Sequence, residues 1–259
     1  MQVIHPSASI APGARLGAGV EVGPFAVIEA DTAIGDGCRI AAQVVIKRHT
    51  RMGRRNRVCE QAVIGGEPQD VKFDPACVSG VEIGDDNLFR ESVTVHRGSR
   101  PGAATRVGSG CMLMIGAHVA HDCALGDNVV MANLATLGGE AVVQDRAFIS
   151  GLVGVHQFCR IGRVAMIGGL TKLVQDALPF CITDGNPGRA RGLNLVGLRR
   201  AGFKAAEIAA LKDAYGLLYR KVPLAEAIAT MKASASGAVK ELAAFLESSK
   251  RGFAHPGSG

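Results

Sequence analysis

The chain carries seven histidines, and four of them, His96, His118, His121 and His156, crowd into one stretch. Imidazole titrates near neutrality, so it can take a proton from a hydroxyl or coordinate a metal ion. Two chemistries fit this grouping. In the first, His96, His118 and His121 collect zinc, which takes neutral imidazole nitrogens at about 2.0 Å and leaves a fourth position open. In the second, His121 is a general base, and the adjacent Asp122 orients its ring and stabilises the imidazolium. Neighbouring side chains on a strand point apart, so the second reading requires a chain corner at His121 and Asp122.

The elements that place these groups follow from a six-residue period. Ile4, Ile10, Leu16, Val22, Ile28, Ile34, Ile40, Ile46, Met52, Val58 and Ile64 are all aliphatic. The phase breaks at 66–80, returns at Ile83, Phe89 and Val95, and breaks again at 97–106. From Val107 to Leu173 it then runs without interruption. Neither a helix nor one long strand has this period. Short strands joined by corners do, and three of them close a triangular coil whose successive turns pair in parallel about 4.8 Å apart. The residue two before each anchor is often small, as at Ala26, Thr32, Ala117 and Ala135, and shares the inward face. Glycine often follows the anchor, as at Gly17, Gly35, Gly53 and Gly108, which suits a corner of positive φ.

The expected fold class is therefore an all-β solenoid, a parallel β-helix over 1–182, with loops at about 66–80 and 97–106. An α-helical region over 183–259 follows, marked by three- and four-residue apolar spacing in Phe203, Ile208, Leu211, Tyr215 and Leu218, then Leu224, Ile228 and Met231. Val239, Leu242, Phe245 and Leu246 make a third set, and 255–259 read as a disordered end. His118, His121 and His156 lie off the inward positions and belong on the outside of the prism. A single prism is convex while small-molecule sites are concave, so a second subunit must supply the opposite wall. A threefold homo-oligomer is the natural packing.

Composition narrows the class further. The chain is 259 residues long, 47% hydrophobic and 20% charged, which excludes a disordered chain. No apolar run reaches the roughly 20 residues of a membrane span, and the start has no signal-peptide pattern. Seven cysteines without a Cys-x-x-Cys pair fit reduced thiols, so a soluble cytoplasmic location is expected. The net charge of +6 favours acidic partners. At 4% aromatic residues with no Trp, the surface lacks the stacking platforms of a single-strand nucleic-acid binder.

Particular stretches then carry a resemblance over nearly the whole chain. They are Ile-Gly-Gly-Glu-Pro-Gln-Asp-Val-Lys at 64–72, Arg-Glu-Ser-Val-Thr-Val-His-Arg-Gly at 90–98, and Met-Ile-Gly-Ala-His-Val-Ala-His-Asp-Cys at 114–123. Val-His-Gln-Phe-Cys at 155–159, Gly185-Asn186-Pro187 and Gly-Leu-Asn-Leu-Val-Gly-Leu-Arg-Arg at 192–200 complete the set. The chain resembles the UDP-N-acetylglucosamine O-acyltransferases of lipid A synthesis. That resemblance implies a left-handed β-helix, a homotrimer, no cofactor, and transfer of an (R)-3-hydroxyacyl group from acyl carrier protein to the glucosamine 3-position. It implies His121 as base, Asp122 as its partner, and the Gly139 N–H as the oxyanion donor. Asp70, Lys72, His118, His156 and Gln157 fall on substrate-contacting positions, and Asn194 and Arg200 on nucleotide-contacting ones. Acyl carrier protein is acidic, which gives the basic surface a use.

Three residues depart from the family pattern. Glu140 stands where a substrate-contacting His is usual, and Val196 where a Glu often lies near the nucleotide. Lys172 occupies the position taken to limit acyl length, and its stem favours a shorter chain unless it turns to solvent. An added carboxylate at 140 could attract the ammonium of a 3-amino sugar nucleotide, which some relatives acylate. The N-acyltransferase two steps later in the pathway shares the prism but resembles a longer chain with a uridine-binding domain in front. A zinc enzyme like the gamma carbonic anhydrases is the other catalytic alternative. A structural solenoid without a site predicts plain faces, against the two polar loops and clustered His here.

Overall fold

The computed structural model describes residues 3–218 and 222–255. From Val3 to Leu173 the chain alternates strands of two to four residues with tight turns. Strands three hexads apart pair in parallel, Glu21 with Arg39 and Arg39 with Arg57. Three sheets of 11, 9 and 8 strands result, one on each face of the prism. The period-six anchors point in: Ile28, Ile46, Ile64, Leu113, Met131, Leu137, Ile149, Ile161, Ile167 and Leu173 are fully buried. The small residues two before them, Ala26, Thr32, Ala117 and Ala135 among them, are buried beside them. Only residues this short leave room for three inward anchors per turn at interior packing density.

The corners differ from expectation in one respect. Positive φ falls on the third residue after the anchor, not on the glycine directly after it. Asp31, Gln43, Asp122, Leu134 and Glu140 take this left-handed conformation with φ between 57° and 60°, and Gly19, Gly37, Gly110 and Gly116 fill equivalent places. The glycines directly after the anchor answer to contact between coils. A Cβ on Gly35 would lie 2.5 Å from the Gly53 carbonyl oxygen, and one on Gly108 2.5 Å from that of Gly126. At these two corners the next coil's carbonyl occupies the place a Cβ would take.

Both loops leave the prism between paired strands. The first runs 67–79, between Val63–Gly66 and Gly80–Ile83. The second runs only 97–103, because pairing resumes in Ala104–Val107. They are tied to each other. The Arg97 guanidinium, 4% exposed, donates to the carbonyls of Cys77 (2.7 Å) and Pro75 (3.2 Å) and lies 5.0 Å over the Phe73 ring. The Gly102 amide donates to the Val78 carbonyl, and Ser79 Oγ to that of Gly98.

The expected boundary at 182/183 falls inside the strand Cys181–Asp184, which extends the first sheet and turns back as the antiparallel strand Arg189–Leu193. Among the described residues four helices follow: α1 (Leu195–Arg200), α2 (Ala205–Leu217), α3 (Leu224–Lys232) and α4 (Gly237–Glu247). The last three match the apolar spacing; α1 is too short to show any. Leu198, Leu211, Met231, Leu242 and Phe245 form a second core with Val164, Leu178 and Phe180 of the last coils. Arg160 fastens this cap, pairing with buried Asp176 at 2.8 Å and lying 4.1 Å over Phe245. His255 is also placed: its carbonyl accepts the Ala190 amide and its ring packs on Phe253 at 4.3 Å. Residues 256–259 lie outside the described part of the chain.

Candidate active site

The left-handed conformation of Asp122 (φ 59°) turns two sequence neighbours toward each other. His121 Nδ1 and Asp122 Oδ2 are 2.9 Å apart, so the corner required by the general-base reading is present. The Asp122 side chain is 5% exposed and heavily bonded. Ser99 donates to it twice, from Oγ at 2.6 Å and from its amide at 3.1 Å. Burial alone pushes this carboxyl up, but the Ser99 and His121 hydrogen bonds and the Arg100 charge outweigh it and hold it below the usual carboxylate range. An ionised Asp122 accepts from Nδ1–H, which leaves the lone pair on Nε2.

Nε2 faces Gly139, one coil further on. A Cβ at Gly139 would lie 2.6 Å from Nε2, so only glycine lets the ring sit there. The flanking amides are committed, Gly138 to the Val155 carbonyl and Glu140 to the His121 carbonyl. Among the described residues the Gly139 amide donates to nothing, although the residue is buried. A base lone pair and an uncommitted N–H therefore stand on adjoining coils, the pair of groups acyl transfer requires.

His118 and His96 pack beside them, their rings edge to face at 4.8 Å. His118 Nδ1 shares a 2.7 Å hydrogen bond with Thr94 Oγ1, and burial lowers its pKa. Burial, with the neighbouring His118 and His121, pushes His96 down to about 4. Both rings are thus neutral at neutral pH. Among the described residues His96, His118 and His121 do not converge as a ligand set; the group of metal-ligating side chains that does is Cys59, Glu60 and Glu91.

A family model for UDP-N-acetylglucosamine O-acyltransferase domain 2 matches residues 176–254, and one for bacterial transferase hexapeptide repeats matches 104–139. The acyl-[acyl-carrier-protein]–UDP-N-acetylglucosamine O-acyltransferase of Anaeromyxobacter dehalogenans is 45% identical over 256 residues, 96% of this chain and 98% of its own. The chain belongs to the UDP-N-acetylglucosamine O-acyltransferase family. The relative in Aliivibrio fischeri strain MJ11 is 52% identical over 84% of this chain and 83% of its own. The solved acyltransferase of Bacteroides fragilis superposes with a TM-score of 0.93 at 38% identity, covering 96% and 98% of the two chains. The prism is thus the left-handed parallel β-helix of this family. Membership sets aside the zinc hydrolyase and the plain solenoid.

The remaining residues singled out by resemblance to the acyltransferases separate into groups. His156 and Gln157 are exposed one coil beyond Gly139. Asp70 and Lys72 are exposed on the first loop, where the Asp70 side chain accepts the Lys72 amide at 2.9 Å. Neither bonds to His121 or Asp122. Asn194 and Arg200 lie elsewhere, in a cleft of about 410 Å³ walled by Phe148 and Met166 of the first sheet. Their face of the prism is opposite the His121 corner, so one chain cannot bring them to it. Asn194 is also 7% exposed and caps α1, accepting from the Gly197 amide and donating to the Val164 carbonyl. Lys172 is exposed, in the same outward column as His118, Thr136 and Gly154. The hexads pass over Ser99, Arg100 and Thr105, whose Oγ1 accepts the Asp122 amide at 2.8 Å. Their signal was the polar break in the period at 97–106.

Gly139→Ala is expected to lower kcat about 100-fold while thermal unfolding stays near wild type. The new methyl, 2.5 Å from the ring, must displace the imidazole by about an ångström, and misplacement on that scale costs about that factor. Kinetics and a melting curve on the same preparation check it.

Proposed function

We propose that the protein transfers an (R)-3-hydroxyacyl group from acyl carrier protein to the 3-hydroxyl of UDP-N-acetylglucosamine, the first step of lipid A synthesis. His121 Nε2 takes the hydroxyl proton as the oxygen attacks the thioester carbonyl. The tetrahedral oxyanion accepts from the Gly139 amide. Collapse expels the carrier thiolate, which recovers the proton from the imidazolium, while Asp122 holds the ring throughout. The observation that carries this reading is the His121–Asp122 pair with Nε2 set against the uncommitted Gly139 amide.

The protein is proposed to work as a homotrimer with sites between subunits. Asn194 and Arg200 of one copy would complete the pocket beside His121 of another, which answers their placement on opposite faces of one chain. Leu134, Leu152 and Leu170 support this. They are 53%, 56% and 71% exposed and stack on one edge in left-handed conformation, a strained arrangement for leucine. A cytoplasmic location accords with the free thiols of all seven cysteines. Among the described residues no helix is long and apolar enough to cross a membrane.

The deciding experiment gives purified protein a panel of hydroxyacyl carrier proteins of different lengths, with UDP-N-acetylglucosamine or its 3-amino analogue. Ester formed on the 3-hydroxyl is expected, from a particle of three chains by light scattering. No transfer from any donor, or a preference for the amine, overturns the assignment. A fully active single chain overturns the shared site.

A further inference from the structure

Asp122 and Glu140 occupy the same corner on successive coils; the Asp122 carboxylate meets the His121 ring, and the Glu140 amide donates to the His121 carbonyl. The second loop places one cation between them. Arg100 reaches Glu140 with Nη1 at 3.5 Å and Asp122 with Nη2 at 4.0 Å. Ser99, the preceding residue, is fixed by its two bonds to Asp122, so the loop backbone holds Arg100 in reach. We propose that Arg100 is a positioning residue that balances the Asp122–Glu140 pair and so keeps His121 in its proton-accepting form. This rests on the acyltransfer reading above.

The charges around His121 can be summed from every side. Its own coil supplies ionised Asp122 and neutral His118; the preceding coil supplies neutral His96. The next coil supplies Glu140, and the second loop supplies Arg100. With Arg100 in place the two carboxylates meet one guanidinium. Without it both act on the ring, the imidazolium gains, and less free base remains at a given pH. Arg100 is 62% exposed, so the interaction is screened. Exposed pairs couple by about two- to fivefold, equivalent to about 0.3–0.7 pH unit.

The test is the pH profile of kcat/KM for wild type, Arg100→Met, Glu140→Gln and the double variant, at low and high salt. Arg100→Met is expected to move the acidic limb to higher pH by about 0.3–0.7 unit and lower kcat/KM on that limb about two- to fivefold. Glu140→Gln is expected to move the limb the other way, and the double variant to return close to wild type. The differences should shrink at high salt. A limb unmoved in Arg100→Met, or a limb shift that Glu140→Gln does not reverse in the double variant, overturns the proposal and leaves the loop a purely structural part. Wild type that transfers no acyl group overturns the function instead, so the two failures are distinct.

Discussion

His121→Ala is expected to lower kcat by about 10²–10⁴-fold, the usual contribution of a general base. The fold should survive. The side chain is 20% exposed and makes one side-chain hydrogen bond, and Asp122 keeps its two bonds from Ser99 after the ring is gone. The residual rate then reports the Gly139 amide and substrate positioning, which the substitution leaves in place. Steady-state kinetics beside a melting curve decides the matter. A variant that keeps most of its kcat removes His121 from the chemistry, and one that loses activity together with its melting transition shows a structural role.

The largest stability effect is expected at Ile149. This anchor is fully buried, with Met131 and Ile167 above and below it in the same ladder. Ile149→Asp places a carboxylate where no donor faces it and removes the aliphatic contact to both neighbours. Loss of more than about 4 kcal/mol is expected, enough to prevent accumulation of folded protein. Ile149→Val, which trims one methylene, should cost about 0.5–1.5 kcal/mol and fold normally. Chemical denaturation of the valine variant and soluble yield of the aspartate variant give the comparison. A soluble, cooperatively melting Ile149→Asp would contradict the stacked-anchor account of the core.

The site was legible wherever the six-residue phase assigns an outward position. His118 and His121 fall off the inward places by counting alone, and the structure puts both on the outside of one coil. Asp122 was legible as a partner only on condition of a corner, and its φ of 59° supplies that corner. Ser99 and Arg100 were legible as members of a polar interruption and no further. Their reach to Asp122 and Glu140 spans residues 23 and 40 positions apart in the chain. The glycines after the anchors carried the opposite lesson. Their frequency pointed to positive φ, but the reason for them is the closeness of the adjoining coil.

What the sequence by itself determined is therefore the repeat: the aliphatic column, the small inward partners, the two interruptions and the helical end. A hexad constrains each residue through neighbours at a fixed offset, so a single chain read in one dimension contains that information. Only the tertiary structure decided which groups meet across coils and loops. Among the described residues the Gly139 amide is uncommitted while Gly138 and Glu140 on either side bond to Val155 and His121, Arg100 stands between two carboxylates because Ser99 fixes its loop, and Asn194 faces away from His121 because the prism has three sides. Contacts of that kind depend on distances between segments far apart in the chain, which residue types and spacing do not encode.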